Sequence, residues 1–475
     1  MNFLDQVLTS FRECFSREAT FQWFVVIISG LLIRTDHLGV TSVIRGLFLR
    51  PDYMGLIGFF RSSAWDLETL SAKWYTLVRK YGALERHGEA VILVGDGVKQ
   101  PKEGRRMPGV KRQHQESDDS SKAEYMWGHL FGGVGVLAER AGKRFCIPLA
   151  LRLHDGVKTI FGWGEKKERQ TSHVTEMVRL AHGISKHFEE AILLLDRLFL
   201  TVPALRTLDE LNATGQTLHI VTKAKRNCIA YKPPAANTGQ RGRPRVKGEA
   251  VKLLSLFETA KAQFAEAEIS LYGKAEQIRY HYTDLLWGQG MYKKLRFVLV
   301  AYNNTRAILV STNLTLEPLD IIRLYSKRFS IEPMFREMKQ VVCAFGYRFW
   351  SKRMPRLNRF RKKTDPDPFE QITNQSDRVK IKLAVKAIEG FVFCCVIATG
   401  LLQMISLQFS ATSELQRLRY LRTHRSIIVS ESTVADALRK NFYRLLHYHP
   451  DLLITQIISA KQDPSLVSSD FPLVS

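Results

Sequence analysis

Two short apolar runs, a hundred residues apart, organise the hydrophobic pattern of this chain. Residues 89–95, EAVILVG, place an unbroken apolar stretch ahead of Asp96, and residues 191–195, AILLL, do the same ahead of Asp196. Runs of this length suit strands covered on both faces, each carrying a carboxylate at its C-terminal end. Further stretches predict strands near 127–137, 144–152 and 217–223, with helices near 171–188 and 202–211. Three more strands are expected near 278–286, 294–302 and 306–311. Three hairpin-connected strands followed by helix-linked ones make an α/β organisation. Residues 1–80 carry helical periodicity instead. Within them, 41–53 and 54–61 read as helix, tight turn, helix, a pattern that serves DNA reading or plain packing.

A second pattern lies at 325–339. On an ideal helix Tyr325, Arg328, Glu332, Arg336 and Lys339 fall within an arc of roughly 80°. Leu324, Ile331, Met334, Phe335, Met338 and Val342 share the neighbouring face and are expected in a core. Pro333 is tolerated only in a first turn, so the helix kinks there or begins near Ser330 as its N-cap. One carboxylate among cations suits a salt-bridged surface or a phosphate-gripping site. Strand-end aspartates likewise serve as helix caps or as ligands.

Composition narrows the partners. The 475 residues allow two or three domains, and the formal charge of +24 draws polyanions: DNA, RNA or an anionic membrane surface. The six cysteines (14, 146, 228, 343, 394 and 395) contain no CxxC pair, which points to reduced thiols in a cytoplasm. His173, His182 and His187 read as ordinary helix residues without a ligand cluster. The apolar stretch 21–33 is shorter than the roughly 20 residues needed to span a bilayer. The longer stretch 390–407 is preceded by Lys386, contains Gln403 and reads as a buried core helix. No membrane partner is expected.

Together, Asp96, Asp196 and Glu332 with the Tyr-x2-Arg-x3-Glu-x6-Lys spacing of Tyr325, Arg328, Glu332 and Lys339 resemble the YREK signature of DDE transposases of bacterial insertion sequences. The segment Asp196-Arg197-Leu198-Phe199 resembles the motif after the second aspartate in that group, and the similarity runs over roughly 85–345. The resemblance implies a ribonuclease-H-like catalytic core interrupted by a β-rich insertion, with helical N-terminal and C-terminal regions. It implies cut-and-paste transposition on double-stranded DNA, terminal inverted repeats and target alike. A homodimer or larger synaptic complex, with a hairpin intermediate as an option, goes with it. The expected divisions are 1–80, a helical DNA-binding region; 81–223 and 313–345, the core; 224–312, the insertion; and 346–475, a basic and helical end. Three carboxylates about 5 Å apart repel by roughly 3 kcal/mol per pair at an effective dielectric near 20, so such a cluster calls for cations. Two Mg2+ or Mn2+ ions on Asp96, Asp196 and Glu332 meet that need. Tyr325, Arg328, Arg336 and Lys339, assisted by Arg197, would hold phosphates.

Other basic stretches extend the DNA reading. The polar loop 99–121 carries Lys99, Lys102, Arg105, Arg106, Lys111 and Arg112. In 231–245, Arg241, Arg243 and Arg245 form an Arg-Gly-Arg-Pro core of the kind that enters A·T-rich minor grooves. Trp287 is expected on a turn; relatives of this type stack a flipped base on an insertion tryptophan, and aromatic–base stacking is worth about 1–3 kcal/mol. Residues 351–363 are dense in Lys and Arg and could follow a phosphate backbone. Two competing readings keep the same surfaces: a domesticated DNA-binding protein without catalysis, and a ribonuclease-H-like nuclease that cuts without joining.

Overall fold

The computed structural model describes every residue except 116–120, 122, 164–171, 236–244, 272, 361–364, 413–414, 416–426 and 465–475. Its centre is one mixed sheet. The strands are β1 (Arg86–His87), β2 (Ala90–Pro101), β3 (Lys111–His114), β4 (Tyr125–Arg140), β5 (Lys143–Leu153), β6 (Glu190–Leu194) and β7 (Leu218–Lys223). They continue with β8 (Ile229–Tyr231), β9 (Ala250–Lys252), β10 (Ala265–Leu271), β11 (Lys274–Trp287), β12 (Lys293–Tyr302) and β13 (Thr305–Ser311). The order β3-β4-β2-β6-β7-β13-β12-β11-β8-β9 runs across it, with β5 on β4, β1 on β2 and β10 on β11.

Strands β2, β4 and β5 form an antiparallel meander. β6 then lies parallel to β2, and β7 parallel to β6, each reached through a helix. Those helices, His173–Ser185 and Val202–Asn212, start at side-chain caps from Ser172 and Thr201, the first as a capping box. β13 pairs antiparallel with β7, so the strands after 224 extend the core sheet itself.

Alternating side-chain directions decide what covers each face. A Cβ on Gly95 would meet Met177 of the helix His173–Ser185, and one on Gly97 would meet His173. Asp96 between them points to the opposite face. There Gly133, its partner on β4, would place a Cβ 2.8 Å from the Phe335 ring. The acidic helix Ile331–Gln340 therefore lies on the Asp96 side, and glycine lets it come close. The long helix Gln375–Phe409 packs along β5 and against Ile331–Gln340.

The N-terminal helix Glu18–Ile33 is almost wholly buried, packed on Gln375–Phe409 and Glu431–Tyr448. Gln375–Phe409 is long and apolar enough to cross a membrane by length and composition, yet its apolar window is entirely buried within the protein, as expected for 390–407. Two of its buried polar side chains have internal partners: Glu389 accepts from the Leu153 backbone N–H at 2.9 Å, and the Gln403 amide nitrogen donates to Glu431 at 2.9 Å. All six cysteines are free thiols.

Two expectations need correction. The first half of the supposed helix-turn-helix is a 3₁₀ helix, Val40–Leu47, ended by Phe48 in a left-handed conformation; Leu49 then bridges Gln462. Its backbone lies directly on Gly30 of the buried N-terminal helix, so packing sets its geometry. Only the second half, Tyr53–Arg61 capped by Asp52, is an α-helix. The polar stretch 99–121 is likewise not one loop: β2 runs to Pro101, β3 covers Lys111–His114, and Lys102 is partly buried.

Candidate active site

The two aspartates meet through strand register. β2 and β6 pair from Ala90 with Glu190 to Val94 with Leu194. That offset brings Asp196, two residues past the last pair, to the same end of the sheet as Asp96, and the two interact electrostatically. Asp96 lies within β2 rather than at its end, because β4 continues to pair with β2 after β6 has stopped. Asp196 lies just past β6 and precedes the 3₁₀ turn Arg197–Phe199, where its side chain makes no capping hydrogen bond. The helix-cap explanation of this aspartate is therefore set aside.

Glu332 arrives from the other side. The run 318–340 is nearly continuous: helix Pro318–Ser326, 3₁₀ helix Lys327–Ser330 and helix Ile331–Gln340. Pro333 sits in the first turn of the last helix, where its missing N–H costs little. The helix begins after Ser330 at the N-cap position, as expected, but the Ser330 side chain makes no capping hydrogen bond, because the preceding 3₁₀ turn already holds it in helical geometry. Leu324, Ile331, Met334, Phe335, Met338 and Val342 are all buried. The apolar face thus locks the polar face over the sheet.

Arg328 ties these elements together. Its Nη1 lies 3.1 Å from Asp96 Oδ2 and its Nη2 3.1 Å from Glu332 Oε1. Asp196 acts on the same guanidinium electrostatically. Burial raises the Asp96 pKa above its ordinary value, with Arg328 opposing the rise and Asp196 adding to it. Two acidic groups thus hold one cation, and Asp196 acts on it electrostatically. Among the described residues no three His, Cys, Asp or Glu side chains stand ready as a ligand group for one ion; the guanidinium occupies the space between two of the acids.

The remaining expected residues divide into two groups. Tyr325 is half-buried and packs against the core, while Lys339 is exposed on the acidic helix. Arg336 turns aside to Glu337, 3.0 Å away, and Arg197 is exposed on the turn after Asp196. Trp287 is the last residue of β11, not a turn residue; it is half-buried, with its indole against the Cys228 thiol. Arg245 is exposed, whereas Arg241 and Arg243 lie outside the described residues.

A clamp behind the site was not foreseen. Lys102 donates to the carbonyls of Phe345 (2.5 Å) and Tyr347 (3.0 Å), with its ammonium 3.7 Å from the centre of the Tyr347 ring. Desolvation lowers its pKa to about 8. The Tyr347 hydroxyl lies 2.6 Å from His129 Nδ1, and His129 Nε2 lies 2.9 Å from the Pro108 carbonyl. The carbonyl can only accept, so Nε2 carries the proton and Nδ1 accepts from tyrosine. Burial pushes His129 down to about 3, in keeping with a neutral ring. This network fastens the segment after the acidic helix to β4. Nothing in the spacing of Lys102, His129 and Tyr347 announces it.

A family model described as DDE superfamily endonuclease matches residues 10–290, which takes in Asp96 and Asp196 and stops before Glu332. No curated protein and no solved structure matches the chain. Since the match covers more than half of the sequence, the chain belongs to the DDE superfamily endonucleases.

Proposed function

We propose that this protein is a DDE transposase of the YREK type, with a ribonuclease-H-like core that cuts transposon ends and joins them to target DNA. The observation that carries the reading is the Arg328 guanidinium held between Asp96 and Glu332, with Asp196 acting on it electrostatically. Distant acids on two strands and a helix gather in this way where cationic ligands are to be held.

The donor chemistry fits divalent metal. Carboxylate oxygens are the ligands Mg2+ and Mn2+ favour, and those of Asp96 and Glu332 already share one cation. Asp96, Asp196 and Glu332 would hold the ions. When bound, two such ions supply an activated attacking oxygen and compensation of charge on the leaving one. The protein's part is positional. The pairing of β2 with β6 brings both aspartates to one end of the sheet, and the close packing of Phe335 on Gly133 sets the acidic helix on the Asp96 side. Lys339, exposed on the acidic helix, together with Arg328 and Tyr325 would neutralise and orient the phosphates of a DNA strand. Water attacks the end phosphodiester, the P–O3′ bond breaks, and the freed 3′-OH attacks a target phosphodiester in the same geometry. The basic surfaces, Arg245 among them, and a second copy of the chain would hold paired ends.

The test is a plasmid carrying the DNA that flanks the coding region, incubated with protein and Mg2+. Wild type is expected to cut and to join 3′ ends. Asp96→Asn, Asp196→Asn and Glu332→Gln are expected to lose both while binding DNA. Cutting without joining would favour the nuclease reading; cutting by any of the three variants would remove that residue from the mechanism.

A further inference from the structure

Arg328 stands in an unusual position for a residue meant to touch DNA. Both of its terminal nitrogens are engaged within the protein, one on Asp96 Oδ2 and one on Glu332 Oε1, and its side chain is only 15% exposed. Asp196 contributes to the same electrostatic well. These oxygens are the atoms that a divalent ion on Asp96 and Glu332 would take. A coordinated Mg2+ lies about 2.1 Å from such an oxygen, much closer than a hydrogen-bonded nitrogen. Guanidinium and ion cannot share the position, because both the space and the charge conflict.

The geometry also says where the arginine goes. It sits on a 3₁₀ turn, Lys327–Ser330, between two α-helices, where a small backbone adjustment redirects a long side chain. The backbone of that turn is anchored separately: Lys327 reaches Glu85 at 2.7 Å, and Glu85 is held in turn by Arg144 at 2.6 Å. Freed from the acids, a planar fork of five donors matches a phosphodiester better than any other anion in reach. Leaving the acids without any cation would set three negative groups against one another. The exchange is therefore favourable only when metal arrives.

We propose that Arg328 is an internal counter-cation that closes the carboxylate site until a divalent ion displaces it, after which the released guanidinium grips a DNA phosphate. This rests on the metal-binding reading of the three acids. By linkage, metal then strengthens DNA binding by the same factor as DNA strengthens metal binding, and the coupling runs through one side chain.

The test is Mn2+ binding by the DNA-free, full-length protein, read from the electron paramagnetic resonance signal of free Mn2+. Removing a competing positive charge is expected to tighten Mn2+ about tenfold in Arg328→Gln and Arg328→Ala, while Arg328→Lys, which keeps the charge, stays near wild type. Asp96→Asn is the control and is expected to weaken it. The second readout is fluorescence anisotropy of a labelled duplex, recorded before cleavage develops. Mn2+ is expected to strengthen DNA binding of wild type several-fold and to leave Arg328→Gln unchanged. Equal or weaker Mn2+ binding in folded Arg328→Gln and Arg328→Ala, with wild type binding normally and Asp96→Asn weakened, overturns the exchange and leaves the metal site standing. Absence of Mn2+ binding in wild type overturns both.

Discussion

The two halves of the sheet make different use of the same hydrogen-bonded ladder. In the half built from β2, β4, β5, β6 and β7, strand interiors are buried on both faces: all of residues 90–95 and 191–194 are buried. In the half built from β10 to β13, the outer strands β10 and β11 bury only scattered positions, Ile269, Leu271, Ile278 and Leu285 among them; Arg279 of β11 and Arg306 at the start of β13 are exposed at 45% and 47%. Helices on both faces of the first half bring a third carboxylate across the two strand-borne ones. In the second half β12 and β13 are packed beneath helix Pro318–Ser326, and the outer strands β10 and β11 offer a charged surface. A site that must hold three acids and a cation in fixed geometry belongs in the rigid half, and a surface that grips a polyanion belongs in the open one.

The largest effect expected in the rigid half comes from acid. His129 is neutral in the folded protein with a pKa near 3, while the unfolded chain takes up a proton near 6.5. Its folded value is depressed, so the unfolded state binds the proton first. Stability is whole above pH 6.5 and is lost as pH falls towards 3, by about 1.4 kcal/mol per pH unit. Burial depresses His154 to about 3 and His173 to about 4, which adds to the loss in the same direction. Thermal melts of wild type between pH 7.5 and 5 are expected to drop steeply, and those of His129→Gln less so. Equal slopes would remove the clamp from the account.

Gly133→Ala is next. The new methyl would meet the Phe335 ring at 2.8 Å, and overpacking of this kind costs about 1–3 kcal/mol. Cleavage is expected to fall far more than stability, since the acidic helix is pushed off Asp96. Wild-type cleavage in the folded variant would show that the close approach is not needed. The smallest effects belong to the open half. Arg279→Ala and Arg306→Ala are expected to change stability by less than about 0.5 kcal/mol. Each should flatten the dependence of DNA binding on salt by about 0.9 in the log–log slope. Unchanged slopes would take this surface out of the DNA interface.

The same division explains what could be read from sequence. Doubly covered strands give unbroken apolar runs, so β2, β6 and both aspartates were legible. The helical spacing that places Glu332 survived a 3₁₀ turn because that turn still advances in the helical sense. β10 was not legible: AEAEISL is rich in Ala and Glu, which favour helix, and pairing along β11 overrides that preference. The Val40–Leu47 turn was misread because apolar spacing alone does not separate a 3₁₀ helix from an α-helix. Arg328 was expected outward towards DNA, because its face is set by helical period but its partners are set by a strand more than two hundred residues away. Long-range contacts leave no trace in local spacing, and the Lys102, Tyr347 and His129 clamp shows the same.

Whether the carboxylates at 96, 196 and 332 hold divalent metal for strand cleavage is decided by exchanging a ligand atom. In Asp96→Cys the hard oxygen is replaced by a soft sulfur, which Mg2+ binds poorly and Mn2+ tolerates. The account predicts at least a roughly thousandfold loss of plasmid cleavage with Mg2+, about 4 kcal/mol in the barrier, and recovery of much of it with Mn2+. Full activity of this variant with Mg2+, or no recovery with Mn2+ in a folded protein that still binds DNA, would contradict it.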